Sequence, residues 1–137
     1  MVLAFKKEFV PKILNGTKIH TIREDKRKRW KVNSIINFVD EKNKEFEIGN
    51  CLFIQDIQMS IDRSIHSHSE EFKEYIIMII IGSKILRAGE ETIQFILNDG
   101  FGSYQEFHDW FYPIIMKSKN NSFHGKLIHW TNKIYKY

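Results

Sequence analysis

The order of strand-like and helix-like segments limits this chain to few architectures. Extended apolar segments follow one another between residues 34 and 86, and no helical segment separates them. Parallel neighbours in a sheet would need helical crossovers, so this order predicts an α+β fold with a mostly antiparallel sheet. A small barrel whose last strand lies beside its first would remove exposed sheet edges, and we expect that closure.

Strands are predicted from alternating or continuous runs of β-branched and aromatic residues. The run Tyr75 to Ile81 is continuously apolar, which is typical of a strand buried on both faces. Asp40 to Glu45 is a polar turn. The other predicted strands cover residues 2–5, 18–23, 34–39 and 50–65, with a hairpin return at 84–86 and a closing strand within 123–135.

Three helices are predicted, one after the first strand and two before the last. The first covers residues 9–16, where Pro11 suits the opening turn and Gly16 the left-handed position after the end. The second covers residues 90–98. The third begins with a capping box, Ser103 with Glu106, and a proline stands near its end. One face of this third helix carries an aromatic stripe that we assign to the core: Tyr104, Phe107, Trp110 and Phe111.

The chain length fits one domain over residues 1–137. The single cysteine, Cys51, excludes an internal disulfide framework and favours a reducing compartment. No signal peptide is recognisable, and the longest apolar run is far shorter than the roughly 20 residues that span a bilayer. We therefore expect a soluble cytoplasmic protein with no membrane partner.

Positive charge is concentrated near the N-terminus. Residues 1–31 hold ten Lys and Arg against three acids, a net of +7, and the remainder nets −3, which together give the overall +4. Such a field attracts phosphates or acidic partners. The alternative is a solvated basic loop that binds nothing charged.

The segment Gly16 to Arg23 combines a cationic, an imidazole and a hydroxyl side chain within a predicted strand. Strand alternation would place Lys18 and His20 on one face, and Thr21 and Arg23 on the other. A desolvated lysine near a threonine hydroxyl could favour its ionisation, and an arginine could hold a phosphate or carboxylate with two hydrogen bonds. The alternative is a polar barrel strand with exposed ends.

Other candidate residues are ambiguous from the sequence. Asp99, followed by Gly100, is either a general acid or base facing Lys18 and Thr21 or an ordinary Asp–Gly turn. His66 and His68 are spaced for metal chelation but fit a polar loop better. No phosphate-cradling loop, nucleophile elbow or dinucleotide fingerprint is present, and we expect no metal or cofactor.

Three stretches together resemble the ASCH domain family of the PUA-like superfamily, in its small single-domain bacterial and phage-type members. The first is Phe5 through Arg23, with Ile-Leu-x-Gly-x-Lys-x-x-Thr-Ile-Arg at its end. The second is Asn98-Asp99-Gly100-Phe101 with Ser103 and Phe107. The third is Phe123-x-Gly125-Lys126-x-Ile128-His129-Trp130-Thr131. The resemblance implies a PUA-like β-barrel with a ligand cleft beside it.

The resemblance also implies a function, and three alternatives stay open. The first is binding of RNA or a modified nucleoside. The second is an amidohydrolase that removes the acetyl group of 4-acetylcytidine-type nucleosides, with Lys18, Thr21 and Asp99 as catalytic residues; Asp99 is one methylene shorter than the glutamate of that branch. The third is a protein-interaction module. The expected nucleic-acid-binding residues are Lys18, His20, Arg23, Lys26, Arg27, Lys28, Arg29 and Trp30.

Overall fold

A computed structural model describes residues 1–66, 75–87 and 89–136. This part of the chain has an α+β fold with two sheets. The strands are β1 (Val2–Ala4), β2 (His20–Arg23), β3 (Ile35–Val39), β4 (Glu45–Asn50), β5 (Phe53–His66), β6 (Tyr75–Ile81), β7 (Lys84–Ile85) and β8 (Ser122–His129). The α-helices are α1 (Val10–Leu14), α2 (Glu90–Asn98) and α3 (Tyr104–Lys117), and short 3-10 turns cover Lys7–Phe9 and Lys119–Asn121.

The smaller sheet has the order β1-β3-β4. Its β1–β3 pair is parallel and its β3–β4 pair antiparallel. β4 was not among the predicted strands, because its sequence Glu-Phe-Glu-Ile-Gly-Asn is mostly polar and mostly exposed. Charged side chains of this kind are typical of a strand at the edge of a sheet.

The larger sheet has the order β2-β8-β5-β6-β7 and is antiparallel throughout. The long strand β5 pairs with β6 on one side and β8 on the other. The predicted neighbour of the last strand is wrong: β8 lies between β2 and β5, while β1 pairs with β3. The described strands thus form two open sheets, and β1 and β2, which α1 separates along the chain, belong to different sheets.

The predicted strand at Tyr75–Ile81 is confirmed, but its burial on both faces is not. Ile77, Ile79 and Ile81 are buried, whereas the residues between them are only partly covered. β6 lies next to the two-residue edge strand β7, in an antiparallel sheet, where one covered face is the usual arrangement.

The helices begin and end largely as their capping residues predict. Gly16 has φ +83° just after α1, and the Ser103 hydroxyl accepts a hydrogen bond from the Glu106 amide at the start of α3. α3 continues past Pro113 to Lys117. Pro113 removes a hydrogen bond to the Asp109 carbonyl, and both residues lie on the exposed side, where water can satisfy that carbonyl.

The core joins both sheets to the helices. Its fully buried side chains include Phe38 of β3, Met59 of β5, Phe95 of α2 and Phe107 of α3. None of the described helices is long and apolar enough to cross a membrane. The packing places the end of α2 against the start of β2, where the polar residues of both segments meet.

Candidate functional site

A cleft of about 320 Å³ lies between the start of β2, the end of α2 and α3. Its polar lining includes Lys18, Thr21, Arg23 and Asp99. Exposed Lys6 and Glu41 also line it, so three cations face two carboxylates. The apolar walls are aromatic and consist of Phe5, Phe9, Phe101, Trp110 and Phe111.

Lys18 is the centre of the cleft's hydrogen bonding, although only 2% of it is exposed. Its Nζ donates to the carbonyl oxygen of His20 at 2.8 Å and to the backbone carbonyl of Asp99. The Asp99 carboxylate lies 3.5 Å from the same nitrogen. Three acceptors match the three N–H bonds of an ammonium, and the ring of Phe9, 4.9 Å from Nζ, adds a cation–π contact.

The charge state of Lys18 is set by opposing effects. Burial lowers the pKa of Lys18 to about 8, Asp99 opposes this shift, and neighbouring Arg23 adds to it. At pH 7 the amine is therefore still mostly protonated, but it loses its proton far more readily than an exposed lysine. The Lys18 ammonium in turn stabilises the buried Asp99 carboxylate, because it places an opposite charge close to it.

The end of α2 delivers Asp99 to the cleft through a Schellman motif. The Phe101 amide donates to the Ile96 carbonyl and the Gly100 amide to the Leu97 carbonyl, while Gly100 has φ +95°. Lys12 of α1 donates to the Gly100 carbonyl at 2.6 Å. Asp99 thus lies in an Asp–Gly turn and also lines the cleft with Lys18 and Thr21, while its role as a general acid or base stays a prediction.

Lys18 and Thr21 line the same cleft, contrary to the predicted strand alternation. The prediction fails because β2 begins only at His20, so Lys18 precedes the regular strand. Arg23, half-buried, donates to the Ala4 carbonyl at 2.7 Å and stacks 5.0 Å from the Phe5 ring centre. Burial lowers the pKa of Arg23, and one of its five donors is used by Ala4.

His20 is fully buried behind the cleft. Its Nδ1 lies 3.0 Å from the Asp99 carboxylate, and its Nε2 lies 2.7 Å from the hydroxyl of Tyr135. Burial lowers the pKa of His20, so the imidazole is neutral. A ligand in the cleft would feel His20 only through Asp99.

His129 pairs with His20 across β8 and β2 and is also fully buried. Burial, followed by the nearby His20, lowers the pKa of His129 to about 3, although the Lys133 backbone opposes the shift. Neither ring nitrogen has a hydrogen-bond partner at standard geometry. His129 therefore favours its uncharged form in the folded protein.

The basic loop, residues 24–31, lies outside the cleft but begins directly after Arg23. The Asp25 side chain organises it by accepting from the Arg29 amide at 2.7 Å and the Trp30 amide at 3.4 Å. All five cations of the loop are exposed: Lys26, Arg27, Lys28, Arg29 and Lys31. Lys26 and Lys28 line a second depression of about 400 Å³, together with His124 and Lys126.

Trp110 and Trp30 are each only partly buried. Trp110 is 38% exposed and forms a cleft wall, so its assignment to the core is wrong; Phe107 and Phe111 of the same stripe are buried. Trp30 is half-buried and packs against the core, with the Arg29 guanidinium 5.4 Å from its ring centre.

Several residues of the site were not predicted from the sequence. Tyr135 contacts His20, Asn98 donates to the Tyr135 hydroxyl, and Phe5, Phe9 and Phe101 form walls of the cleft. Phe5, Phe9, Asn98 and Phe101 carried a signal, because they belong to the family-like motifs, whereas Tyr135 carried none. The His66–His68 spacing falls outside what the structure describes, apart from the His66 backbone at the end of β5.

A scan against protein-family models, a search of curated proteins and a search of solved structures each found no match to this chain. A function must therefore be argued from the geometry of the cleft and the loop.

The contact between Gly100 and Lys18 gives a stability prediction. A Cβ at Gly100 would lie 2.8 Å from Lys18 Cδ and 3.0 Å from Phe9 Cδ1. Gly16 has a similar positive φ but open space around it. We expect Gly16→Ala to cost about 1–2 kcal/mol of unfolding free energy for the backbone alone. Gly100→Ala should cost about 1–3 kcal/mol more for overpacking, measured by chemical denaturation. Equal losses of unfolding free energy in Gly16→Ala and Gly100→Ala would contradict a fixed position of the Lys18 side chain against Gly100.

The burial of His129 gives a pH prediction. Its pKa is about 3 when folded against an ordinary 6.5, so below pH 6.5 the unfolded chain takes up a proton that the folded protein does not. The stability that depends on a neutral His129 is therefore complete above pH 6.5 and is lost as the pH falls towards 3. Protonation of His129 in the unfolded chain should lower the free energy of unfolding by about 2 kcal/mol between pH 7 and pH 5. Denaturation at both pH values should show a shallower loss in His129→Asn, and an unchanged slope would refute the assignment.

Proposed function

We propose that this chain is an ASCH-type, PUA-like domain that binds RNA or a modified nucleoside, with one base held in the cleft. The observation that carries the proposal is a cleft with aromatic walls and a buried Lys18–Asp99 pair. Arg23 also lines this cleft, and the basic loop begins at the residue that follows it. On this proposal the two open sheets correspond to an opened form of the family's barrel.

The cleft chemistry suits a nucleobase. Aromatic walls offer stacking surfaces, and every base has a face that stacks. Lys18 and His20 both approach Oδ1 of Asp99, so Oδ2 is the oxygen to which a base amino group would donate. Thr21 adds a hydroxyl. A volume of about 320 Å³ is near the lower end for ligand pockets, so one nucleoside is a better fit than a longer segment.

The loop supports the RNA part of the proposal. The turn that the Asp25 side chain holds presents Lys26, Arg27, Lys28 and Arg29 to solvent, where phosphates can reach them. Lys26 makes an exposed ion pair with Glu24 at 3.2 Å, which a phosphate could replace at little cost. The loop would therefore supply salt-dependent affinity and the cleft would select the base.

Neutralising the loop should separate these two roles. With Lys26, Arg27, Lys28 and Arg29 all changed to Gln, the slope of log affinity against log salt for a single-stranded RNA oligonucleotide should become shallower by about 3. Cytidine binding, measured by calorimetry, should remain unchanged. The matched control changes four exposed lysines outside the loop: Lys42, Lys44, Lys117 and Lys119.

An RNA affinity that is equally reduced by the control set would show only nonspecific attraction to positive charge. RNA affinity that is untouched in the loop variant would refute the phosphate role. The cleft role is tested by Asp99→Asn, which should weaken cytidine binding about tenfold or more by replacing a charged acceptor. Its melting curve verifies that the variant is folded.

Amide hydrolysis is a second candidate, favoured by Lys18 and Thr21 lining one cleft and by the lowered pKa of Lys18. In this reaction Thr21 Oγ1 attacks the acyl carbon of a 4-acylcytidine, and the neutral Lys18 amine takes the hydroxyl proton and returns it to the departing nitrogen. Water then hydrolyses the acyl ester on Thr21. About a tenth of Lys18 is neutral at pH 7, given a pKa of about 8.

Incubation with 4-acetylcytidine should then release cytidine, with a rate that rises with pH and levels off above pH 8 as Lys18 loses its proton. Thr21→Val should abolish turnover, while Thr21→Ser, which keeps a hydroxyl, should retain part of it. Chromatography of the products measures both. Turnover that survives in Thr21→Val would exclude this mechanism, and its absence in the unaltered protein would leave binding as the function.

A further inference from the structure

The chain after β8 returns to the sheet and is fixed there by a side chain of β5. The amide of Tyr135 donates to Gln55 Oε1 at 3.1 Å, and the Tyr135 carbonyl accepts from Gln55 Nε2 at 2.8 Å. The paired contacts place the Tyr135 ring beside His20 and Phe95, with ring centres 5.6 and 5.5 Å away.

The Tyr135 hydroxyl closes a ring of hydrogen bonds with the end of α2. It accepts from Asn98 Nδ2 at 3.1 Å and lies 2.7 Å from His20 Nε2. The opposite nitrogen of His20 contacts the carboxylate of Asp99, the residue after Asn98. A change at Tyr135 can therefore reach Asp99 through one imidazole.

The direction of these hydrogen bonds follows from the chemistry of the groups. A carboxylate only accepts, so the proton on the His20 ring is on Nδ1 and points to Asp99. The ring is neutral because burial lowers the pKa of His20, so Nε2 accepts from the Tyr135 hydroxyl. Donation to one end of an imidazole polarises it and strengthens the hydrogen bond at its other end.

The ring of His20 has little freedom to turn. It stacks on Phe95 at 5.2 Å and meets the edges of His129 and Tyr135. No part of it is exposed, so it does not touch a ligand. Any contribution of His20 to the cleft passes through the position of the Asp99 carboxylate.

We propose that Tyr135 and His20 are positioning residues that hold Asp99 Oδ1, so that the C-terminal segment belongs to the binding machinery of the cleft. The orientation leaves Oδ2 of Asp99 as the oxygen available to a ligand. The effect on ligand affinity rests on the proposed nucleoside binding, whereas the hydrogen-bond relay itself can be tested in the protein without ligand.

Nuclear magnetic resonance of the ¹⁵N-labelled protein tests the relay. His20 should show a protonated Nδ1 and an unprotonated Nε2 at pH 7. In Tyr135→Phe the Nδ1–H proton signal should move upfield and exchange faster with solvent, because the donor to Nε2 is gone. Tyr112→Phe is the matched control, since Tyr112 stacks on His108 of α3 and should leave the signal unchanged. A proton on Nε2, or an unmoved signal in Tyr135→Phe, would overturn the proposal.

A double-mutant cycle with cytidine tests the consequence for binding. Tyr135→Phe should weaken cytidine affinity about 2- to 30-fold, the usual range for such indirect coupling. His20→Asn keeps an amide donor for Asp99 but lacks the second ring nitrogen, so Tyr135→Phe should have no further effect in that background. Additive losses would show that Tyr135 acts by another route and would overturn transmission through His20.

The two proposals can fail separately. If the unaltered protein does not bind cytidine but the Nδ1–H signal responds to Tyr135→Phe, the nucleoside function fails and the relay stands. If cytidine binds with the expected dependence on Asp99 but the signal does not respond, the function stands and the relay is wrong.

Discussion

The buried ammonium of Lys18 is the group on which the rest of the site depends. An ammonium removed from water is stable only with acceptors around it, and here the acceptors come from both sides of the cleft. The His20 carbonyl belongs to β2, whereas the Asp99 carbonyl and carboxylate belong to the end of α2. The requirement to satisfy one charge thus joins two segments that are 81 residues apart along the chain.

The end of α2 works as a hub because three consecutive residues face different neighbours. Asn98 contacts Tyr135, Asp99 contacts Lys18 and His20, and Gly100 accepts from Lys12. A Schellman motif turns the backbone sharply enough for this, and its left-handed residue has to lie close to Lys18, where only glycine fits without displacement. The stability of the fold and the proposed binding chemistry therefore depend on the same short turn.

The positive charge of the first 31 residues is divided between two settings. Lys18 and Arg23 are desolvated and held by hydrogen bonds to backbone carbonyls of the fold, whereas the loop cations Lys26 to Arg29 are exposed. Buried cations have fixed geometry and exposed ones are screened by salt. The first setting suits selection of a particular group, and the second suits attraction of a polyanion.

The sequence alone determined the elements whose signals are local. These include the strand at Tyr75–Ile81, the Ser103 cap and the Gly16 helix end. Tertiary structure decided the neighbours of β8, the exposed position of Trp110 and the return of Tyr135 to His20. The physical reason is that caps and periodicity act within a few residues, whereas pairing partners and buried charges are settled by competition among distant surfaces, which no local pattern encodes.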